Sequence, residues 1–277
     1  MTDVIPPLAG VIGWPVAHSR SPRLHGHWLR RYGIAGHYVP LAVRPVDLPA
    51  ALEAAQRLGF RGVNVTIPHK EEALAGALEA TEAARTIGAA NTLTFLEGGG
   101  YRADNTDGFG FIASLHQDAP DWRAGAGPAL VLGAGGAARA IIWALLADGA
   151  PEIRLANRTR DRAEALCAHF GDRVRVVDWA QADAAGAGAA TIVNTTAVGM
   201  GPGEAAPVSL AAADPGTLVT DIVYTPLETP LLAAARARGL PVVDGLGMLL
   251  HQAAPGFEAW FGVKPAVDAD LRAAALA

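Results

Sequence analysis

The stretch Ala129-Leu130-Val131-Leu132-Gly133-Ala134-Gly135-Gly136-Ala137-Ala138 decides the fold class of this chain of 277 residues. Its leading apolar residues predict a buried strand, and the glycines that follow match the pattern G-x-G-x-x-A at the start of a helix. In this pattern Gly133 makes a tight turn, Gly135 lets a pyrophosphate approach the backbone, and Ala138 lets the helix pack closely on its strand. The helix N-terminus then offers N–H donors to phosphate groups. A glycine-rich turn without a ligand is the alternative interpretation.

On both sides of this stretch, short β-branched runs alternate with longer helical patterns. Such alternation predicts an α/β fold in which parallel strands are joined by crossover helices. In the second part of the chain, strands for a doubly wound sheet are expected at residues 129–133, 153–157, 174–177, 191–194, 218–222 and 241–243. In the first part, strands are expected at residues 10–13, 37–43, 62–66, 91–95 and 101–103, and helices at 21–32, 46–58 and 108–116.

The alternation of strands and helices is interrupted at residues 118–128, which contain prolines and glycines and show little periodicity. We therefore predict a division into domains just before this segment, near Asp107. The first domain would comprise residues 1–107 and the second residues 108–247. The last helical pattern, residues 248–261, is apolar on one side, so the C-terminal segment 248–277 is expected to pack back on the first domain.

Composition and charge exclude several classes of protein. Hydrophobic residues make up 51% of the chain and charged residues 18%, which is typical of a globular protein rather than a disordered one. The net charge of −5 provides no general attraction for nucleic acid or for an anionic membrane surface, so neither is an expected partner. A monomer and a homodimer both remain open. The N-terminus, with Asp3 and Pro6-Pro7, has no signal-peptide pattern, so we expect a cytoplasmic protein.

No metal site is expected from the cysteine and histidine residues. Cys167 is the only cysteine, which excludes an internal disulfide and a metal site made of several cysteines. Its helical surroundings predict that it packs as a small apolar side chain. The histidines in the first part of the chain do not show the helical spacing of a metal site: His18, His25, His27, His37 and His69.

The residues after the second strand of the predicted doubly wound sheet indicate which dinucleotide binds. An enzyme that uses NAD usually has an acidic residue at this place, where it binds the ribose 2′-hydroxyl. Here the strand ends at Asn157 and is followed by Arg158-Thr159-Arg160-Asp161-Arg162. Guanidinium groups bind phosphate through paired N–H bonds, so the sequence predicts NADP with Arg158 near its 2′-phosphate. A solvated basic turn is the alternative.

Polar residues also lie where predicted strands end and helices begin, which is where open α/β sheets form binding sites. Ser19 and Ser21 stand beside a helix N-terminus, with Pro22 at its first position. The two hydroxyls can form a carboxylate site, whereas Ser21 alone is also a good N-cap. Asn91 is expected to open a strand and Tyr224 to close one.

Lys70 and Asp107 both lie at the start of a predicted helix. Lys70 follows Thr66-Ile67-Pro68-His69 and falls in the first turn, where the helix dipole disfavours a cation by roughly 0.3–1 kcal/mol. A cation in this unfavourable place suggests a functional role, although an ordinary surface lysine is the alternative. Asp107, in Asp104-Asn105-Thr106-Asp107-Gly108, is by itself a suitable N-cap.

Seven motifs in order along the chain resemble those of the shikimate dehydrogenase family. They are His18-Ser19-Arg20-Ser21-Pro22, Asn64-Val65-Thr66-Ile67-Pro68-His69-Lys70-Glu71, Ala90-Asn91-Thr92-Leu93, Asp104-Asn105-Thr106-Asp107-Gly108, Gly133-Ala134-Gly135-Gly136-Ala137, Asn157-Arg158-Thr159 and Asp244-Gly245-Leu246-Gly247-Met248-Leu249. Together they run across nearly the whole chain and are far more specific than any one motif. The sequence departs from many relatives at His69, where an aromatic residue is common, and differs from some at Ala197-Val198-Gly199-Met200.

The resemblance implies an N-terminal substrate domain, a Rossmann-type NADP domain, and a cleft between them to which the last helix contributes. It implies the reduction of 3-dehydroshikimate to shikimate by hydride transfer from NADPH, with Lys70 and Asp107 as the catalytic pair. The implied contacts to the substrate carboxylate are Ser19 and Ser21. The implied contacts to the ring hydroxyls are Thr66, Asn91, Asp107 and Gln252 together with Lys70, and Tyr224 is a further substrate contact. The implied cofactor contacts are Gly133, Ala134, Gly135, Gly136, Ala137, Asn157, Arg158, Thr159, Arg162, Gly245 and Met248.

The implied pair suits the chemistry of ketone reduction. Hydride arriving at a ketone carbon leaves negative charge on oxygen, which needs a nearby cation and a proton. Lys70 can supply both, and Asp107 can hold the ammonium group in place. Two alternatives remain open: a quinate/shikimate dehydrogenase of broader specificity, because quinate shares the carboxylate and hydroxyls, and a non-catalytic NADP-sensing protein.

Overall fold

The chain divides into two compact units. The computed structural model describes residues 6–201 and 204–277; residues 1–5, which include Asp3 and the expected start of the first domain, and residues 202–203 lie outside the described ranges. Unit 1 comprises the described residues up to Thr106 together with Leu250–Ala277. Unit 2 comprises Asp107–Leu249.

Unit 1 contains a mixed sheet. Its strands are β1 (Leu8–Gly13), β2 (His37–Ala42), β3 (Phe60–Val65), β4 (Glu79–Ala80), β5 (Thr92–Phe95) and β6 (Tyr101–Asp104). Their order in the sheet is β2-β1-β3-β5-β6-β4. β1 pairs in parallel with β2 and β3, whereas β5 runs antiparallel to β3 and β6. The expected strands are confirmed with small shifts at their ends, and the short strand β4 is additional.

The helices of unit 1 pack around this sheet. They are α1 (Ser21–Arg31), α2 (Leu48–Arg57), α3 (Lys70–Ala75) and α4 (Glu82–Ile87). Apolar side chains from α2, α3 and the strands form one buried cluster: Ile12, Leu48, Leu52, Val63, Val65, Ala73, Ala90, Leu93, Tyr101 and Ala103. Apart from Ala90, the members come from β1, β3, β5, β6, α2 and α3, so the cluster joins the strands of the sheet to two of its helices.

The C-terminal helices belong largely to unit 1. Helix α9 (Gly245–Phe261) enters unit 1 at Leu250, and α10 (Ala269–Leu276) packs beside α1. The guanidinium of Arg20 donates to the Ala275 carbonyl at 3.0 Å, and the Trp28 indole donates to the Ala266 carbonyl at 2.9 Å. The C-terminal segment from Leu250 is therefore part of the same compact unit as the first strands.

Unit 2 contains a fully parallel sheet. Its strands are β7 (Ala129–Leu132), β8 (Ile153–Ala156), β9 (Val174–Val177), β10 (Thr191–Asn194), β11 (Leu218–Asp221) and β12 (Val242–Val243). Their order is β12-β11-β10-β7-β8-β9, and every neighbouring pair is parallel. Counted within the unit, this is the strand order 3-2-1-4-5-6 of the doubly wound dinucleotide fold. The predicted α/β class is confirmed.

The helices of unit 2 are α5 (Asp107–Asp118), α6 (Gly136–Ala147), α7 (Arg160–Phe170) and α8 (Pro230–Ala237). Helix α6 is almost fully apolar, because it lies in the interior: Ala138, Ile141 and Leu145 are completely buried. Cys167 is half-buried beside this core, and its thiol donates to the Val174 carbonyl at 2.8 Å. It packs as the sequence predicts.

Candidate active site

The glycine-rich turn after β7 has the backbone that phosphate binding requires. Gly133 has a φ of +109°, which L side chains rarely adopt, and a Cβ there would lie 2.6 Å from Thr195 Oγ1. By contrast, apart from the adjoining residues and the backbone of the helix itself, no atom of the described residues lies within 4 Å of a Cβ built at Gly135 or Gly136. Gly136 begins the twelve-residue helix α6, and Ala138 is fully buried against the core. The turn is therefore narrow on its inner side and accessible on its outer side.

Asn157 joins this turn to the basic segment that follows β8. Its Oδ1 accepts a hydrogen bond from the Ala134 backbone N–H at 3.2 Å, and its Nδ2 donates to the Thr159 carbonyl at 2.7 Å. One amide thus fixes the distance between the glycine turn and the start of α7. This structural role was not anticipated from the sequence.

The basic segment itself is exposed. Arg158, Thr159 and Arg162 are all accessible to solvent. Arg160 is different, because it pairs with Glu164 at 2.7 Å and with Asp178. Helix α7 begins at Arg160, so Arg158 and Thr159 lie in the turn between β8 and the helix N-terminus. The arrangement of glycine turn, helix N-terminus and exposed guanidinium groups fits a phosphorylated dinucleotide.

Gly245 and Met248 lie in the first turns of α9. A Cβ at Gly245 would lie 2.5 Å from the Ile222 carbonyl oxygen, so glycine is needed there for the helix to approach the end of β11. Met248 is half-buried beside the unit 2 core. This close packing alone explains why the residue at position 245 is a glycine.

The two serines lie at the start of α1 in unit 1. Helix α1 begins at Ser21 with Arg20 as its N-cap, so the expectation that Ser21 is the N-cap is wrong by one residue. The reason is that Arg20 already has helical backbone angles, and Ser19 Oγ accepts the Ser21 N–H at 3.3 Å. Ser21 is buried. Burial raises the pKa of the Tyr38 phenol, and the side chain of Ser21 opposes this shift.

The turn between β3 and α3 carries Thr66 and Lys70. Lys70 is the first residue of α3, as the sequence predicts, and its carbonyl accepts from the Ala90 N–H at 2.8 Å. His69 is buried, and its Nε2 lies 2.8 Å from the Val43 carbonyl, to which it donates. This bond ties the turn to the end of β2. The histidine at this position therefore has a structural role, which is to connect the turn to the strand beside it.

Asn91 is the centre of a buried hydrogen-bond network. It lies just before β5 rather than opening it, because the strand begins at Thr92. Its Oδ1 accepts from the Thr106 N–H and from the Thr92 hydroxyl, both at 2.9 Å. The Thr106 hydroxyl lies 3.1 Å from the same oxygen and shares its proton with the Gln252 carbonyl at 2.8 Å. The Thr106 N–H can only donate, so this oxygen is identified without ambiguity. Asn91 Nδ2 is then directed to Gln252 Oε1 at 3.3 Å.

A second layer of residues, which the sequence analysis did not single out, supports this network. Asn64 Nδ2 donates to the Asn91 carbonyl and to Thr92 Oγ1, both at 3.1 Å. Its Oδ1 accepts from the Tyr38 hydroxyl at 2.7 Å. Asn64 stands two residues before Thr66 in one of the family-like motifs, so there was a reason in the sequence to consider it. No motif includes Tyr38, because its contact with Asn64 depends on how the strands pair.

His25 lies behind Tyr38 in the aromatic core of unit 1. The two rings stack with centroids 3.8 Å apart, and His25 is fully buried. Among the described residues neither ring nitrogen makes a hydrogen bond of good geometry. Burial lowers the pKa of His25 to about 3, and the side chain of Asn64 offsets a part of this shift. His25 is therefore neutral at physiological pH.

Asp107 and Tyr224 belong to unit 2. Asp107 directly follows Thr106 and is the first residue of α5. Tyr224 is half-buried and does not close a strand, because β11 ends at Asp221 and a turn follows. The sequence pattern overestimated that strand because Ile222 and Val223 are also β-branched.

Residues 6–201 and 204–277 contain neither a metal cluster nor a membrane span. No three His, Cys, Asp or Glu side chains there are grouped so that they could hold a metal ion. No helix in these ranges combines the length and the apolar character needed to cross a membrane.

Family models match three parts of the chain. The shikimate dehydrogenase substrate binding domain matches residues 11–93, and the shikimate / quinate 5-dehydrogenase model matches residues 122–199. The shikimate 5'-dehydrogenase C-terminal domain matches residues 245–275. A shikimate dehydrogenase (NADP(+)) of Paracoccus denitrificans is 62% identical to this chain. The alignment spans 282 residues and covers the full length of both proteins.

The chain belongs to the shikimate dehydrogenase family. A relative from Jannaschia sp., also a shikimate dehydrogenase (NADP(+)), is 56% identical over the full length of both chains. The solved structure of the Thermus thermophilus shikimate 5-dehydrogenase, in complex with NADP(H) and shikimate, is 39% identical, with a TM-score of 0.86 and 98% of each chain covered. A quinate dehydrogenase from Corynebacterium glutamicum in complex with NAD is 31% identical, with a TM-score of 0.90 over 98% of each chain.

Proposed function

We propose that this protein catalyses the reversible, NADPH-dependent reduction of 3-dehydroshikimate to shikimate. The observation that carries the proposal is the full-length identity of 62% to a shikimate dehydrogenase (NADP(+)). The proposal includes a small-molecule substrate, a cytoplasmic location and a monomeric or homodimeric state. Unit 1 is the substrate-binding domain in this proposal and unit 2 the NADP-binding domain.

The buried network around Asn91 supports the assignment of substrate contacts. Because Asn91 Oδ1 is occupied by Thr92 and Thr106, the amide is held with its Nδ2 as the donor group. A hydroxyl oxygen of the substrate would accept from this group. Gln252 is held beside it and, with Thr66, would bind the remaining ring hydroxyls. Such fixed polar groups discriminate strongly, because an analogue that lacks the hydroxyl leaves them without a partner.

The carboxylate contacts are assigned to Ser19 and Ser21, next to the N-terminus of α1. Their hydroxyls and the positive end of the helix dipole both favour an anion at this place. Ser21 is buried, and its backbone N–H donates to Ser19 Oγ at 3.3 Å, so the two serines are held beside each other. Tyr224, in the turn after β11, is assigned a further substrate contact.

Lys70 and Asp107 are proposed as the catalytic pair. NADPH supplies a hydride to the ketone carbon when it is bound. Lys70 then stabilises the negative charge that develops on the ketone oxygen and donates the proton that completes the hydroxyl. Asp107 orients the ammonium group and accepts a hydrogen bond from a substrate hydroxyl. In the reverse direction Lys70 accepts the hydroxyl proton.

The cofactor contacts are assigned to the glycine turn and to the basic segment of unit 2. The backbone at Gly133, Ala134, Gly135, Gly136 and Ala137 would hold the pyrophosphate, and Asn157 fixes this turn relative to Arg158. Arg158, Thr159 and Arg162 would hold the 2′-phosphate, and their exposure supports this because their side chains are accessible to a ligand. Gly245 and Met248 complete the assignment. Asn157 and Arg158, and not an acidic residue, stand directly after β8, which favours NADP over NAD.

The test is direct turnover of the purified protein. Shikimate or quinate is incubated with NADP⁺ or NAD⁺, and the absorbance of the reduced nicotinamide is followed. We expect activity with shikimate and NADP⁺ and little with the other three pairs. The likeness to a quinate dehydrogenase makes quinate the necessary comparison. No turnover in any of the four combinations would contradict the proposal and favour an NADP-sensing protein.

A further inference from the structure

Asp221 is a fully buried carboxylate at the end of β11 in unit 2. Its Oδ1 accepts from the Val223 N–H and from Asn194 Nδ2, both at 3.0 Å. Its Oδ2 accepts from the Thr229 hydroxyl at 2.8 Å and from Asn194 Nδ2 at 3.1 Å. Among the described residues no Lys, Arg or His forms an ion pair with it. The groups that donate to Asp221, from Asn194, Val223 and Thr229, are all uncharged.

A buried carboxylate without a cation is costly to keep. Burial raises the pKa of Asp221, although its hydrogen bonds with Val223, Asn194 and Thr229 oppose the shift. Replacing buried charged groups with well-packed apolar residues is often neutral or stabilising, so stability alone is a weak reason for this carboxylate. Its partners suggest another reason.

Each partner of Asp221 lies in a different segment at the carboxyl edge of the sheet. Asn194 ends β10, and its Nδ2 also donates to the Val198 carbonyl at 3.0 Å. Val223 begins the turn that carries Tyr224. Thr229 is the N-cap of α8 and accepts from the Leu232 N–H.

Asn194 also determines the shape of the loop that follows β10. Its Oδ1 accepts from the Thr196 N–H at 3.0 Å and from the Thr196 hydroxyl at 2.7 Å. Because a backbone N–H can only donate, Asn194 must present its Nδ2 to Asp221. The carboxylate and the amide therefore fit in one orientation, and the loop as far as Val198 is fixed with them.

The network around Asp221 lies at the edge of the sheet where a ligand is expected. In doubly wound sheets, ligands bind beyond the carboxyl ends of the strands. The loops after β10 and β11 lie there, and the second carries Tyr224. Fully buried and bonded to other residues, Asp221 is placed to act on these loops and not on a ligand.

We propose that Asp221 is a positioning residue for the hydride transfer put forward above, an inference that rests on that proposed function. The carboxylate accepts hydrogen bonds from both loops and from α8, and so holds Val198 and Tyr224 in a single arrangement. A misplacement of about 1 Å in such groups can lower turnover about 100-fold. Asp221 itself contacts neither substrate nor cofactor.

The test compares Asp221→Asn with the unchanged protein. Asparagine has nearly the same shape, but an amide nitrogen, which donates, replaces one carboxylate oxygen. This nitrogen meets another donor in Asn194 Nδ2, and only the Thr229 hydroxyl could accept from it, after giving up the bond that it donates to the carboxylate. We expect kcat to fall between about 10- and 100-fold, with a much smaller change in NADP⁺ binding. Shikimate deuterated at the carbon that is oxidised should give a larger isotope effect on kcat, because hydride transfer becomes more rate-limiting.

Thr217→Val is the matched control. Thr217 is buried directly before β11, at the other end of the same strand, and its hydroxyl donates to the Ala189 carbonyl at 2.8 Å. This variant should lower the thermal stability of the unit while kcat and the isotope effect stay within about twofold. Equal kcat values in the Thr217 and Asp221 variants, or an unchanged isotope effect in Asp221→Asn, would overturn the inference.

Thr229→Val keeps the inference testable if Asp221→Asn does not fold. It removes one donor to the carboxylate with little change in volume, so a smaller fall in kcat with a raised isotope effect is expected. Normal values for both would overturn the inference. If instead the unchanged protein does not turn over shikimate with NADP⁺, it is the proposed function that fails.

Discussion

The polar groups assigned to the substrate hydroxyls in unit 1 and to the cofactor phosphate in unit 2 are organised in opposite ways. In unit 1, Asn91 and Thr106 are each 3% exposed and are hydrogen-bonded to other uncharged side chains of the same unit. In unit 2, Arg158 and Arg162 are exposed at the end of a glycine-shaped turn. Buried neutral groups recognise a ligand by geometry that is fixed before binding, whereas exposed cations recognise it by charge. The first arrangement suits the hydroxyls of a ring, and the second suits a phosphate.

This difference also determines how each site responds to change. A buried group that loses its partner costs about 1–3 kcal/mol, so small changes in unit 1 should have large consequences. Exposed charges are screened by salt and solvent, so changes in unit 2 should be graded.

Lys70 adds a charge to the neutral side chains of unit 1 that are assigned to the substrate hydroxyls, and its replacement should have the largest effect. Lys70→Ala removes both the cation and the proton donor for the ketone oxygen, so kcat should fall by roughly 10²- to 10⁴-fold. NADPH binding, measured by fluorescence titration, should be nearly unchanged. Lys264→Ala is the control, because Lys264 is the other lysine in the sequence and is exposed. Near-normal turnover in Lys70→Ala would exclude the catalytic role.

Arg158 tests the charge recognition assigned to unit 2. Arg158→Ala should raise KM for NADPH by about 10- to 100-fold and leave KM for NADH almost unchanged, because charge-assisted hydrogen bonds contribute about 1.5–3 kcal/mol each. Arg160→Ala is the matched control, since Arg160 already pairs with Glu164 and Asp178. Equal losses for both cofactors in Arg158→Ala would remove the argument for NADP.

His25 tests how the buried groups of unit 1 respond to pH. Burial lowers its folded-state pKa to about 3, whereas the ordinary value is 6.5, so the unfolded chain binds a proton that the folded chain does not. Its contribution to stability is therefore present above pH 6.5 and is lost as pH falls, by at most about 1.4 kcal/mol per pH unit.

The measurement is urea unfolding of the unchanged protein and of His25→Phe at pH 7 and pH 5. Phenylalanine keeps a ring against Tyr38 but does not titrate, so the unchanged protein should lose about 2 kcal/mol more than the variant between these pH values. Other titrating groups, such as Asp221, whose raised pKa acts in the opposite direction, are the same in both proteins. Equal losses would show that His25 does not titrate as its burial requires.

Features set by nearby residues were predictable from the sequence. The turn at Gly133 was recognised because strand, glycines and helix are contiguous, and Lys70 was placed at a helix start for the same reason. Boundaries were less certain, as Ser21 illustrates: Arg20 adopts helical angles and takes the N-cap position. The proposed roles of these residues remain predictions.

The supporting layer of the site could not be predicted in this way. Tyr38 meets Asn64 because β2 and β3 both pair with β1, and no local pattern encodes that meeting. From the sequence, Asp221 was likewise predicted only as a residue near the end of a strand. Its partners Asn194 and Thr229 come together only when the parallel sheet and α8 have formed.

The decisive test of the contrast between the units compares Gln252→Ala with Arg158→Ala. For both variants, KM for shikimate and the dissociation constant of NADP⁺ are measured. Gln252 contacts Asn91 through its side chain, whereas its carbonyl keeps the bond from Thr106 in the variant, so the fold should survive. We expect Gln252→Ala to weaken shikimate alone and Arg158→Ala to weaken NADP⁺ alone. If either variant weakened both ligands equally, the separate roles assigned to Gln252 in shikimate recognition and to Arg158 in cofactor recognition would be contradicted.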